Sequence, residues 1–433
     1  MRPTLSRRTL LGSAAAGLGA ATLGLSGCAG VGGSAGDGDA VRFAWYGGTE
    51  RQQAYLKLLE LFEQANEGIA TEPEYADYSP YQDRLATQLA AGDAPDVFWM
   101  AQFNVLDFHS SGQLHRLDDF IADRTIDLSG MDPGQVEGWK LDGVQDALTY
   151  AYFSPAVMIN LDFAAEAGID LPDEQQWTWD DFADLCVEFS GRADGRKGAA
   201  YGAYDDLPFG AWLRQHGQEL FSADGNVGFD ADGVGSWIDY WERLRKSGGA
   251  LSLPEQEGLL PDFDVIAPKI LFKVGNSNHL ANNQPGVDWE LDNLLVPTIP
   301  DPSPGHRFLH YQRFAMYART ENAEPAAKLM NFLLNDENVP ELVGQNIGVP
   351  TNQRLVEIAN RTADAAGKKV LRVTELEAAA EIRPRPEVPP GAGGWRDMLG
   401  QAIEAVSLNG EPIPAASGKL IKDLQAAIDR ARG

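Results

Sequence analysis

Four short stretches of this chain set aromatic rings beside uncharged amides. They are "WYGG" at Trp45–Gly48, "FWMAQFN" at Phe98–Asn104, "VGNSNHLANNQ" at Val274–Gln284 and "LHYQRF" at Leu309–Phe314. That mixture suits recognition of a sugar, whose C–H faces stack on Trp or Tyr while its hydroxyls need paired donors and acceptors from Asn, Gln and Asp. The competing reading of each ring is packing at the edge of a core. Covalent chemistry has no comparable signature: GxxxxGK[ST], HExxH, GxSxG and CxxC are all absent from the sequence. The six histidines are dispersed, with no pair at zinc-ligand spacing. "DADG" at Asp230–Gly233 lacks the third ligand and terminal Glu of a calcium loop and reads as a solvated turn. No metal or other cofactor is expected, and carboxylates are too numerous for a glycosidase pair to be nominated.

Positioning these clusters requires an alternating α/β framework. "AVRFAWYGG" is a strand stopped by Gly47–Gly48, and Thr49 with Gln52 predicts a capping box for the helix that follows. Tyr55, Leu58, Leu59 and Phe62 recur at helical spacing, which places Trp45 and Tyr46 at the C-terminal end of a βα strand, where ligands sit in open sheets. A second unit runs through "IATEPEYAD", "SPYQDRLATQLAAG" and the buried strand "APDVFWM". The extended "DALTYAYFSPAVMINLDFAAEAG", with Pro155, and the Pro-rich "NLLVPTIPDPSPG" read as crossings between two lobes. "WTWDDFADLCVEFS", "GAWLRQHG" and "GSWIDYWERLRKSG" supply helices, with Trp237 and Trp241 facing the core. "KILFKVGN" is a strand, "HRFLHYQRFAMYAR" a strand pair or hairpin, and "EPAAKLMNFLLND" an amphipathic helix.

The first residues are of another kind. Arg2, then Arg7–Arg8, then an apolar Ala/Gly/Leu run to Leu25 describe an export signal rather than a fold element. The adjacent arginines point to the twin-arginine route, ordinary secretion being the other. "LSGC" ends the signal, and the following "AGVGGSAGDGDA" is a flexible leash. Cys186, the only other cysteine, has no disulfide partner and shares a helical face with Phe182 and Phe189, so it reads as a buried structural thiol. With 63 acidic against 35 basic residues the formal net charge is −28, which repels nucleic acid and anionic lipid. A hydrophobic share of 44% still describes a globular protein, and its length exceeds one typical core, so two lobes are expected.

The order of "YQDRLATQLAAGDAPDVFWM", "WTWDDFADL", "AEPAAKLMNFLLNDEN", "GVPTN" and "RPRPEVPPGAGGW" resembles the extracellular solute-binding proteins of carbohydrate ABC transporters, over nearly all of 41–433. "LSGC" likewise resembles a lipobox, which would make Cys28 the lipid-bearing first residue of the mature chain and anchor it to the outer face of the cytoplasmic membrane. The resemblance implies a two-lobed periplasmic-binding-protein-like α/β fold of type II, with hinge closure over an inter-lobe cleft. It implies a monomer that catalyses nothing and delivers a carbohydrate to the permease subunits of an importer. The expected organisation is signal 1–27, tether 28–40, first lobe 41–150 and 290–345, second lobe 151–289 and 346–433. By position, the resemblance puts Trp45 and Tyr46 on the first cleft loop, Asp77 after the second strand, and Gln102 and Asn104 after the third. Asn276 and Asn278 stand where many relatives read Gly-Pro-Trp, and Trp395 matches a frequent stacking aromatic. Tyr204, Asp205 and Trp212 are candidates from the second lobe, and Gln312 from the returning hairpin.

Two other functions compete. A secreted carbohydrate-active enzyme would need an acid pair flanking the sugar. A receptor for a non-sugar solute, such as a polyamine, peptide or glycerol phosphate, would need cleft carboxylates or arginines instead. Asp77 and Asp205 keep the polyamine open.

Overall fold

A computed structural model describes residues 40–257 and 269–433. The export signal, Cys28 and the tether up to residue 39 lie outside the described residues.

Among the described residues, ten strands form two sheets. The first runs in the order β10-β4-β9-β3-β1-β2, from β1 (Val41–Tyr46), β2 (Thr71–Ala76), β3 (Val97–Met100), β4 (Ala147–Phe153), β9 (His310–Met316) and β10 (Val349–Pro350). β1 lies parallel to both β2 and β3, while β9 is antiparallel to β3 and β4. The second sheet runs β6-β7-β5-β8, from β5 (Pro155–Asn160), β6 (Lys197–Ala199), β7 (Ile270–Asn276) and β8 (Leu291–Leu294). Each sheet has its own apolar core. Phe43, Trp45, Trp99, Leu148, Phe314 and Leu329 belong to the first, and Val157, Phe182, Trp237, Trp241, Phe272 and Leu424 to the second. The chain is therefore an α/β protein of two lobes.

Ser154 alone separates β4 from β5, so the first crossing is a single, fully buried residue. Its amide donates to Ser277 Oγ at 3.1 Å and its carbonyl accepts from the Ser277 amide at 2.9 Å. Residues 295–309 cross back from β8 to β9. Buried Arg214 holds that segment by donating to the carbonyls of Gly305 and His306, both at 2.9 Å, and pairs with Glu219. Of the segments expected in the first lobe, Leu291–Leu294 pair with β5 in the second sheet. Of those expected in the second, Val349–Pro350 pair with β4, and Leu355 and Ile358 join the first core.

Local chemistry explains most elements. Helix Thr49–Ala65 buries Ala54, Tyr55, Leu58, Leu59 and Phe62 as its periodicity predicts. Its predicted capping box does not form: Gly48 is the N-cap without a side-chain bond, and Gln52 Nε2 donates back to the Gly47 carbonyl at 3.0 Å. A capping box does form at Thr178 and Asp181, opening helix Trp179–Arg192, where Phe182, Cys186 and Phe189 are all buried. Burial raises the Cys186 thiol well above its ordinary pKa, which leaves it unreactive. Asp230 caps helix Ala231–Lys246 through the Gly233 amide at 2.8 Å, so "DADG" is a helix start. Trp237 and Trp241 pack inward with Trp179, Trp212 and Tyr240. The segment expected as a strand pair or hairpin contributes the single strand β9. Among the described residues, no helix is long and apolar enough to cross a membrane.

Candidate ligand-binding site

The C-terminal ends of three parallel strands converge on one cavity of about 440 Å³. β1 delivers Tyr46–Gly48, β2 is followed by Asp77 and Tyr78, and β3 by Ala101–Phe103. This is the place the open-sheet rule assigns to a ligand. The second lobe closes the cavity with Asn276 at the end of β7, then Asn278, His279 and Asn282. It also brings Asp206, opening helix Asp206–Gln215, and Arg396, in the first turn of helix Trp395–Ser407. Phe153, His310 and Gln312 come from the crossing strands.

The two glycines after β1 differ in their reasons. Gly47 has φ +145°, and a Cβ there would lie 2.5 Å from Arg51 Cδ, so the chain needs glycine to let Arg51 fold back. Arg51 uses that space to donate to the Tyr46 carbonyl at 3.2 Å and the Asn346 carbonyl at 2.7 Å. Gly48 faces open space.

The aromatic part of the site is Tyr46 with Tyr78, edge to face at 5.0 Å. Tyr46 Oη donates to Gln312 Oε1 at 3.1 Å. Burial holds both phenols protonated by raising their pKa values; Arg396 opposes the shift at each without reversing it.

Two charges in the cavity, Arg396 and Asp206, are paired with each other. Arg396 Nη2 makes an ion pair with Asp206 Oδ2, and Arg396 Nη1 donates to Tyr78 Oη at 3.3 Å. Burial alone would raise the Asp206 carboxyl, but the Arg396 and Arg385 guanidiniums outweigh it and hold it below its ordinary value. His310 stacks on Phe153 at 4.7 Å, and burial, reinforced by Arg385 and Arg396, pushes it down to about 3. It is neutral at physiological pH. On the other rim, Asn278 and Asn282 donate through their amides to the Asn346 carbonyl, at 2.9 and 3.3 Å. The lining contains no Ser, Thr, Cys or Lys side chain. Among the described residues no cluster of His, Cys, Asp or Glu could hold a metal ion.

Of the residues singled out in the sequence, Tyr46, Asp77, Gln102, Asn276, Asn278 and Gln312 line this cavity. The other six lie elsewhere. Trp45 is fully buried between Phe43 and Tyr55, because neighbours along a strand point to opposite faces. Trp212 and Trp395 belong to the second core. Asn104 donates to Gln82 at 3.3 Å outside the lining, Tyr204 packs on Tyr201, and Asp205 is the N-cap of helix Asp206–Gln215. Sequence reasoning missed Arg51, Tyr78, Phe103, Asp206, His310 and Arg396. Asp206 and Arg396 each stand one position after a residue it chose.

The description "bacterial extracellular solute-binding protein" belongs to the family model that matches residues 47–340. A solved periplasmic oligogalacturonide binding protein from Yersinia enterocolitica, in complex with saturated digalacturonic acid, aligns with 91% of this chain and 100% of its own. Its TM-score is 0.80 at 17% identity. An ABC substrate-binding protein of Listeria monocytogenes in complex with cycloalternan covers 90% of this chain and 99% of its own, with TM-score 0.78 and 16% identity. The GacH receptor of Streptomyces glaucescens, studied unliganded and with acarbose, covers 90% and 98%, with TM-score 0.73 and 16% identity. These likenesses establish a shared two-lobed fold.

Proposed function

Since the chain belongs to the bacterial extracellular solute-binding proteins, a family of binding proteins that serve ABC importers, we propose that its inter-lobe cavity captures a carbohydrate. One observation carries this reading: the cavity offers a tyrosine pair and a set of amides, with Arg396 and Asp206 paired to each other. A sugar needs that kind of surface, with flat apolar contact on one side and many paired polar groups around the rim. The neighbours from Yersinia, Listeria and Streptomyces, each described with a saccharide or acarbose, support the same class.

The alternatives fit less well. A glycosidase acid must hold a proton at working pH, whereas Arg396 keeps Asp206 ionised. A polyamine needs an excess of carboxylates, and here Arg396 cancels Asp206. A phosphate needs uncommitted cationic donors, and Arg51 already donates from all three of its nitrogens, to the Tyr46 carbonyl and to Asn346. The binding residues we propose are Tyr46, Asp77, Tyr78, Gln102, Asn276, Asn278, Gln312 and Arg396. Lipid attachment at Cys28 after twin-arginine export, a monomeric state, and hinge closure on the ligand complete the proposal.

The test is a thermal-shift screen of the mature protein against mono-, di- and oligosaccharides and polyamines, since a ligand bound only by the folded state raises the melting temperature. A saccharide hit supports the reading. A polyamine hit with no saccharide response overturns it.

A further inference from the structure

The acidity of the chain reverses at the cavity. Arg396 pairs there with Asp206, and Arg313 of β9 pairs with Glu387 at 2.6 Å. A third guanidinium, Arg385, makes no ion pair among the described residues. It lies 4.9 Å over the Phe308 ring and acts on the pKa of both Asp206 and His310. Burial lowers Arg385 to about 10, which leaves it charged at neutral pH. Three guanidiniums therefore stand against two carboxylates. From the first lobe, Arg51 and the exposed Asp77 add one charge of each sign. One positive charge is left over, in a chain whose formal net charge is −28.

His310 reports the sign of the local potential. Burial is the larger reason that it stays neutral, but Arg385, Arg396 and Arg313 push the same way while Asp206 opposes. At Tyr46, where burial again dominates, Arg51 and Arg396 likewise favour negative charge. A field that keeps a proton off an imidazole stabilises an anion placed beside it.

The hydrogen-bonding groups left open divide along the same line. Arg396 Nε and Arg385 Nη1 are buried donors without partners, and Nδ1 of His310, a residue only 8% exposed, is unpartnered too. Elsewhere in the lining, Asn278 Oδ1 and Gln102 Oε1 are buried acceptors without donors. Such groups are costly unless a ligand or water completes them. Sugar hydroxyls can complete the two amides. The nitrogens call for an acceptor, and the surplus charge calls for a negative one.

We propose that the ligand is an acidic saccharide, a uronate whose single carboxylate is held in the Arg396–His310 corner of the cavity while its hydroxyls donate to Asn278 and Gln102. Arg385 does not line the cavity and supplies charge rather than contact. A phosphate ester would bring about two charges where one is unmatched. The proposal rests on the carbohydrate reading above.

Calorimetric titration of the mature protein separates the two. For glucose, galactose and mannose, the probes are the neutral sugar, its uronate and the methyl ester of that uronate, each as monomer and as 4-linked dimer. Glucose 6-phosphate is the dianion. In the series that binds, the uronate should bind roughly tenfold more tightly than its ester, the order expected of one charge-assisted hydrogen bond; the ester keeps the shape and removes the charge. Arg385→Gln should cut that ratio several-fold, and Asp206→Asn, which removes a competing carboxylate, should enlarge it. Melting temperatures establish that each variant is folded. Equal affinity for uronate and ester, or a preference for the neutral sugar, overturns the acidic ligand and leaves the carbohydrate reading standing. A ratio that neither substitution moves overturns the assignment to this corner. Preference for glucose 6-phosphate over every uronate overturns the carboxylate. Failure of every saccharide to bind overturns the carbohydrate reading and the proposal with it.

Discussion

Arg396 of the second lobe donates to the phenol oxygen of Tyr78 in the first, 3.3 Å away. This bond spans the cavity, and the same guanidinium lies 5.3 Å over the Phe103 ring and pairs with Asp206. One side chain thus links both lobes to the charge balance of the site.

Arg396→Gln is expected to weaken sugar binding by tenfold or more, because a hydrogen bond to a charged group contributes about 1.5–3 kcal/mol and Asp206 loses its counter-charge. Calorimetry on the sugar identified by the thermal screen measures this. Wild-type affinity in the variant would remove Arg396 from the site.

Tyr78 and Trp45 should respond in opposite ways. Tyr78 is 38% exposed, so Tyr78→Ala is expected to lower affinity several-fold with little change in melting temperature. Trp45 is fully buried, and Trp45→Ala should cost about 3–5 kcal/mol of stability while the cavity-lining groups stay in place. Chemical denaturation and titration on both variants give the comparison; the reverse pattern would mean the ring of Trp45 faces ligand.

His310 makes stability fall with acid. Its pKa lies near 3 in the folded protein against an ordinary 6.5, so below pH 6.5 the unfolded chain takes a proton that the folded one refuses. Stability therefore decreases as pH drops from 6.5 towards 3. The lowered carboxyls of Asp206 and Glu242 contribute in full above their ordinary values of 3.8 and 4.5 and lose that contribution as pH falls further, for Glu242 towards about 2, so they stay silent above pH 5. Melting temperatures of wild type and His310→Gln between pH 7 and 5 isolate the histidine: the wild type should lose more than the variant. Parallel curves would show that His310 is protonated in the fold.

Cys28→Ala should release the protein from the membrane fraction into the medium without altering affinity for sugar. Fractionation of expressing cells reads the result, and a variant that stays membrane-bound would exclude a lipid on Cys28.

Periodicity and turn residues carried most of the fold. The strand–Gly–helix start at Val41, the buried face of Phe182, Cys186 and Phe189, and a crossing next to Pro155 all follow from local spacing. The lobe boundaries were harder to read, because Leu291–Leu294 and Val349–Pro350 find their partners through long-range pairing that no local signal encodes. For the site, the strand-end rule found Tyr46, Asp77 and Gln102. It could not say which of two adjacent residues turns inward, so Trp45 and Tyr46 were chosen together, and Trp395 was chosen where Arg396 faces the cavity. His310 stood within a quoted stretch, but its neutral, stacked state depends on Phe153, Arg385 and Arg396, distant in sequence.

Ser154 has a mechanical meaning. Both its amide and its carbonyl are tied to Ser277, while the Phe153 ring just before it packs into the second core even though the Phe153 backbone pairs with His310 in the first sheet. The end of β4 is thus riveted to both lobes at once, and the chain passes between them through a fastened seam rather than a loose strap.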